Sequence, residues 1–392
     1  MSSDAQTHYV NTGFDLGLRP RARRVERPRL ERRIRELSVQ GLLGARAGDA
    51  ALVLMEVADE FLHHLGACGI PVPRVLLHPA LDPLTQLRPF GWSSEAMELN
   101  RLHRRPADHP PLPVTRRVNS RSFAVELERE LFPESASGAV IDDIAELETL
   151  LARPSSTGEW IVKGEFGNAG LANRRLRGRE LSTPDRRFVE GLLVENDRLV
   201  VEPWLPREGD WSVVFEVPLD PATVRVHETT YTRDGALIGA LLDSDGGENT
   251  PWIEELCGMA ERVASRLEEE AYFGPACVDA FTWRDGSSLK LRPLVDLNCR
   301  RSMSDGAYRL WRRIAPDRTC YYRFFNRRKL TLPDALEPAL VALGDRRYDP
   351  SRRRGVLLVS PLGHAKLAVM FVAESRLQAL ALENEFRARH ES

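Results

Sequence analysis

The sequence predicts an α+β protein: a small α/β lobe at the amino end, then a longer part in which helices alternate with hairpins. Three observations predict it. Within the first eighty or so residues, short apolar runs alternate with stretches of helical spacing. Glu159 to Lys163 reads as a strand that runs into Gly164 to Gly170, a loop with glycine at every third position. Leu289 to Asn298 alternates strictly and follows Asp285-Gly286, a hairpin turn signal that returns it against Pro275 to Trp283.

Composition narrows the class. A chain of 392 residues suggests about two to three domains, enough for a core and a cleft between lobes. A net charge of −2 gives no global attraction to nucleic acid or to an anionic membrane, so neither is expected as a partner. Cys68, Cys257, Cys277, Cys299 and Cys320 are odd in number and form no CxxC pair, which argues against a zinc site or a disulfide framework. The start M-S-S-D-A-Q-T-H lacks a signal-peptide pattern, and no apolar run approaches the ~18 residues that span a bilayer, so a cytoplasmic protein is expected. Only Lys163, Lys290, Lys329 and Lys366 among the 55 basic residues are lysine, so a lysine at a candidate site is informative.

In chain order, the basic stretch Arg21 to Leu37 carries Leu30, Ile34 and Leu37 at helical spacing. Interleaved Glu26, Glu31 and Glu36 favour a solvated amphipathic helix over a nucleic-acid-binding arm. Ala50 to Met55 and Ile70 to Leu77 read as strands around a helix at Glu56 to Leu65. His103 to Pro113, stiffened by four prolines, is the linker candidate. Helices are expected from Ala124 to Leu131 and from Ile141 to Leu151, and an apolar strand from Leu199 to Leu205. Arg207 to Asp210 reads as a turn before the strand Trp211 to Val217. Val226 to Thr232 and Ala236 to Leu242 flank a second Asp-Gly turn, and Thr250 and Pro251 read as the N-cap and first turn of a following helix. Pro316 to Lys329, rich in arginine and aromatics, reads as a bulky packing helix; Gly355 to Ser360 and Leu367 to Ala373 read as strands before a closing helix.

The hairpin concentrates the chemistry. Alternation places Lys290, Arg292, Leu294, Asp296 and Asn298 on one face. Taken alone this is the pattern of a solvated strand face. Two registers fit the turn, with Asp279 opposite Arg292 or opposite Leu294, and in both Asp279 shares the face of Asp296 and Asn298. Three hard oxygen ligands on one face suit Mg²⁺. The glycines after Lys163 let backbone N–H groups approach an anion, although the spacing G-x-x-G-x-x-G is neither a Rossmann fingerprint nor a Walker loop.

Together, I-V-K-G-E-F-G-N-A-G, V-E-P-W-L and the hairpin V-D-A-F with P-L-V-D-L-N resemble, in order and spacing, the ATP-grasp superfamily over roughly Arg116 to Ala307. The resemblance implies two α+β lobes that clasp ATP, preceded by a small α/β domain: 1–115 for that domain, 116–200 for the small lobe with its glycine-rich lid, and 201–392 for the large lobe and a carboxy-terminal extension. It implies Lys163 on the nucleotide phosphates with Gly164, Gly167 and Gly170 folding over them. Arg121 stands as a second basic residue near the first strand of the grasp. Glu202, Pro203, Trp204 and Leu205 would be the adenine hinge, and Asp210, or else Glu208, would hold the ribose. Asp279, Asp296 and Asn298 would hold Mg²⁺, with Mn²⁺ as an alternative.

Two positions depart from the pattern. Cys277 stands where an arginine is often found, so charge stabilisation is assigned to Arg300 and Arg301, with Arg292 third. Asp296 stands where glutamate is commoner. The implied activity is an ATP-dependent ligase: a carboxylate is activated as an acyl phosphate, and an amine attacks it to give an amide, ADP and phosphate. Small-molecule carboxylate and amine are the implied partners. A kinase acting on a hydroxyl through the same scaffold, and a silent nucleotide-binding protein, are the alternatives.

Overall fold

The computed structural model describes residues 5–19, 27–153, 157–167, 173–232, 236–243 and 250–391. Helices and strands gather around three sheets, as an α+β chain requires. The amino-terminal sheet is parallel throughout, in the order Arg74–Leu77, Ala50–Val53, Gln6–Tyr9, Gln86–Pro89. Ala50–Val53 is buried at every residue, which is why it reads as a continuous apolar run. The chain adds strands on one side of Gln6–Tyr9 and then crosses to the other for Gln86–Pro89. The loops after Tyr9 and Pro89 therefore open a crevice at the carboxyl ends of these strands.

The second sheet is antiparallel, in the order Ala139–Ile141, Leu199–Pro203, Glu159–Gly164, Asn173–Arg177. Trp160, Val162, Leu199 and Val201 pack on Leu147, Leu151, Val189 and Leu192 of the helices Ile144–Leu151 and Thr183–Glu195. Asp143 and Ser182 cap these helices by accepting hydrogen bonds from Glu146 N and Asp185 N.

The third sheet has eight antiparallel strands, in the order Ser288–Asn298, Gly274–Asp285, Arg207–Val217, Arg225–Tyr231, Leu237–Leu242, Thr319–Asn326, Lys366–Ala373, Gly355–Leu358. Helices Arg121–Leu131 and Ile253–Glu269 cover its first three strands through Phe123, Leu127, Leu256, Val263 and Leu267. At the other end, Leu42, Leu43, Phe61 and Leu65 of the amino-terminal part share a core with Trp311, Tyr322 and Met370. That shared core holds the amino-terminal lobe against the large sheet. No helix among the described residues is long and apolar enough to cross a membrane.

Three local expectations are corrected. Arg207 to Asp210 is not a turn but the start of an eleven-residue strand, with Asp210 paired to Phe281 and Thr229. Thr319–Asn326 is a strand rather than a helix: Cys320 and Tyr322 face one core while Tyr321 and Phe325 face another, a period of two. Thr250 does not cap the helix Ile253–Glu269, whose N-cap is Trp252. The second Asp-Gly turn, at 233–235, lies outside the described residues.

Candidate active site

The hairpin register is set by a bulge. Arg284 pairs with Leu289 and Phe281 with Arg292, but Asp279 then pairs with Asp296 and Cys277 with Asn298. Two extra residues of the second strand are taken up between Phe281 and Asp279, around Pro293, which has no N–H to donate to a ladder. Neither expected partner of Asp279 is therefore the observed one. The bulge also breaks the strict alternation: Leu291, Leu294 and Leu297 all turn to the same core, while Val295, Asp296 and Asn298 face a cavity. The two-residue slip keeps Asp279, Asp296 and Asn298 on one side, as expected, while the irregular backbone at the bulge turns Arg292 and Leu294 away from it.

That cavity has a volume of about 500 Å³ and lies where the three sheets meet. Thr12, Asp15 and Phe90 come from the amino-terminal crevice, Arg121, Lys163 and Gly167 from the middle part, and Asp210, Asp279 and Arg300 from the large sheet and its edge. Asp279 is buried opposite Asp296, and burial first, then the Asp296 charge, pushes its carboxyl up to about 7. Tyr231, which the sequence reading missed, donates to Asp279 Oδ1 at 3.0 Å. Asn298 Nδ2 lies 3.4 Å from Asp279 Oδ2, and Arg300 donates to Asn298 Oδ1 at 2.8 Å. Two carboxylates face to face form a hard oxygen pair that a divalent cation fits, and it would relieve the repulsion that raises Asp279; the Asn298 oxygen, turned to Arg300, joins them only if its amide flips.

Lys163 is buried at the floor of the cavity, where Glu202 Oε2 lies 2.6 Å from its ammonium. Behind it, Arg292 is 2% exposed and grips Glu128 with two hydrogen bonds, at 2.6 and 2.7 Å, and Glu202 at 3.1 Å. This corrects the third catalytic candidate: Arg292 does not line the cavity and is fixed in a buried ionic network. Arg301 is also turned away, toward Glu216 and Asp305 at 3.7 Å and into a separate cavity of about 40 Å³ with His8 and Arg88. Of the three arginines only Arg300 reaches the central cavity, held by Asp15 at 3.2 Å and stacked on Phe90. Cys277 also lines it, as a buried thiol pushed up to about 12, so it carries no charge there.

Arg121 lies in the first turn of the helix Arg121–Leu131, not beside a strand. Its guanidinium donates to Gly164 O at 2.6 Å and reaches Asp296 at 3.4 Å, and its buried Nε has no partner among the described residues. A Cβ at Gly167 would collide with that guanidinium, so a side chain there would have to displace it from Gly164 O and Asp296. Gly170 lies outside the described residues. On the opposite wall, Trp204 N–H is spent on Glu159 O at 2.9 Å, and Trp204 O accepts from Thr157 at 2.7 Å. Leu205 lines the cavity beside Trp204, whereas Glu202 and Pro203 are strand residues paired to Ile161 and Trp160. Asp210 lines the same end, 3.0 Å from Arg207, and burial raises its carboxyl. Glu208 instead pairs with Arg284 at the surface.

No family model and no curated protein matches the sequence. Solved structures do match the fold. An N5-carboxyaminoimidazole synthetase from Staphylococcus aureus complexed with ADP is 10% identical, with a TM-score of 0.54 over 98% of this chain and 96% of that one. The biotin carboxylase domain of a 2-oxoglutarate carboxylase from Hydrogenobacter thermophilus, in complex with MgADP, ADP and bicarbonate, is 11% identical, with a TM-score of 0.55 over 100% and 91%. A phosphoribosylamine–glycine ligase from Thermotoga maritima is 10% identical, with a TM-score of 0.53 over 99% and 97%. Full-length agreement with these enzymes, together with the strand, loop and hairpin order described above, shows that this chain has the ATP-grasp fold.

Proposed function

We propose that the chain is an ATP-dependent carboxylate–amine ligase. The observation that carries this reading is the set Asp279, Asp296 and Asn298, with Arg300 on its flank, facing Lys163 and Arg121 in one cavity. Its support also includes similar structures that hold ADP or MgADP. Mg²⁺ held by Asp279, Asp296 and Asn298 would neutralise phosphate charge and align the phosphates for in-line transfer. Lys163 and Arg121 bind phosphate oxygens, with Gly164 and Gly167 over them. The backbone at Glu202 to Leu205 reads the adenine, chiefly at Leu205, because Trp204 has already spent its N–H. Asp210 accepts from the ribose.

The substrate carboxylate attacks the γ-phosphorus and ADP leaves; the amine then attacks the acyl carbon, phosphate leaves, and one proton is released. Arg300, rather than Arg301 or Arg292, stabilises the oxyanion of that second step. We divide the chain at 1–115, 116–200 and 201–392. The parallel sheet falls inside the first part and the eight-stranded sheet inside the third, while strand Leu199–Pro203 runs across the second boundary. Small acids and amines are the proposed partners.

A screen of acids with amines for ADP release tests the reading. The Asp296→Ala/Asn298→Ala variant is expected to lose turnover by orders of magnitude while remaining folded. ATP consumption at the parent rate by that variant would remove the metal assignment.

A further inference from the structure

The end of the cavity remote from the nucleotide hinge is lined by Arg33, Leu37, Leu237, Phe324 and Lys366. Arg33 comes from the helix Pro28–Ser38, and Lys366 opens the strand Lys366–Ala373. The two cations share this end, and neither side chain makes an ion pair with a described residue. Several other enclosed cations among the described residues are paired: Lys163 with Glu202, Arg19 with Glu195, Arg300 with Asp15 and Arg323 with Glu383. Glu36, which accepts from the Ala365 amide at 2.9 Å, is itself committed to Arg32 at 2.8 Å. Burial lowers the pKa of both Arg33 and Lys366, and the nearby Arg33 and Lys329 charges lower Lys366 further. Like charges held half-buried together cost free energy that an anion between them would recover.

We propose that Arg33 and Lys366 form an oxyanion-binding end of the active-site cavity, and that the acid substrate carries a second anionic group, a phosphate monoester or a carboxylate, held there. The inference rests on the ligase reading for what is bound at the other end. The sheet sets the scale of such a substrate. Strands Arg225–Tyr231, Leu237–Leu242, Thr319–Asn326 and Lys366–Ala373 are successive neighbours, so the backbones of Tyr231 and Lys366 are about three strand spacings apart, roughly 14 Å. With a tyrosine that touches Asp279 at one end and a long lysine at the other, a substrate of several bonds between its two anionic groups spans the gap. The apolar walls supplied by Leu37, Leu237 and Phe324 suit a carbon linker.

Calorimetric titration with glycerol 3-phosphate and with glutarate tests the proposal, with glycerol and butyrate as controls that each lack the anionic group the two cations would hold. Each is run with and without Mg·ADP, and Mg·ADP is titrated separately. One of the two dianions is expected to bind the parent protein more tightly than its control. Arg33→Gln or Lys366→Gln should weaken it about ten-fold or more, and Lys366→Arg should retain it. Which dianion binds decides between phosphate and carboxylate. Mg·ADP affinity should be unchanged in all three variants, so failure of nucleotide binding would strike the ligase reading and not this one. Equal binding of dianion and control, or dianion binding indifferent to both Gln variants, would overturn the proposal.

Discussion

Arg292 and Arg300 illustrate how two arginines from one strand and its following turn acquire opposite tasks. Arg292 is sealed among Glu128 and Glu202, so Arg292→Gln leaves buried carboxylates uncompensated and is expected to cost about 3 to 5 kcal/mol of stability. Arg300 meets the cavity, so Arg300→Gln should lower turnover on the order of 10²-fold or more while its urea midpoint falls less than that of Arg292→Gln. Equal loss of stability in both variants, with turnover intact in Arg300→Gln, would reverse the two roles. The sequence could identify Asp279, Asp296 and Asn298 because a two-residue slip preserves which side they face. It could not separate Arg292 from them, because the bulge at Pro293 shows only as one proline in an otherwise regular alternation.

At the scale of elements, the glycine loop and the helix after the metal strand each hold a testable arrangement. Gly167→Ala places a methyl against the Arg121 guanidinium, which Gly164 O and Asp296 hold in place. Nucleotide affinity is expected to fall about ten-fold with little change in melting temperature; unchanged Mg·ADP binding would show that Arg121 yields freely. Asp305 begins the helix Asp305–Ile314, and the positive charges of Arg309, Arg301 and Arg225 hold its carboxyl far below the usual range despite burial. A depressed folded pKa adds stability that is complete above the unfolded value of about 4 and drains away as pH falls toward the folded one. The difference in urea midpoint between parent and Asp305→Asn should therefore be full at pH 7 and narrow below about pH 4; a constant difference would contradict it. The helices Pro28–Ser38, Arg121–Leu131, Ile253–Glu269 and Arg376–His390 and most strands were legible from period, whereas Ser94–Arg101, Thr183–Glu195, Asp305–Ile314 and Leu336–Leu343 were not read. Thr319–Asn326 was misread because two cores bury both of its faces, so aromatic density concealed the period of two.

At the scale of the whole molecule, the site exists only because three sheets converge, and this was the least legible property. The carboxylate of Asp15 reaches Arg300 across the crevice of the amino-terminal lobe, and Arg33 comes to lie near Lys366, far later in the chain. No local pattern encodes such contacts; only the rarity of lysine marked Lys366 at all. If the cavity binds nucleotide between the lobes, Mg·ADP should stabilise the chain as a unit, by about 2.7 kcal/mol at a hundred times its Kd, and EDTA should abolish most of that gain. The most direct test of the central claim follows the oxygen that acyl phosphate formation must transfer. The protein is incubated with Mg·ATP, a pool of amines and a pool of acids labelled with ¹⁸O in the carboxyl group, and the phosphate released is weighed by mass spectrometry. The ligase account predicts phosphate carrying one ¹⁸O, formed only when acid and amine are both present; phosphate released without label would contradict it.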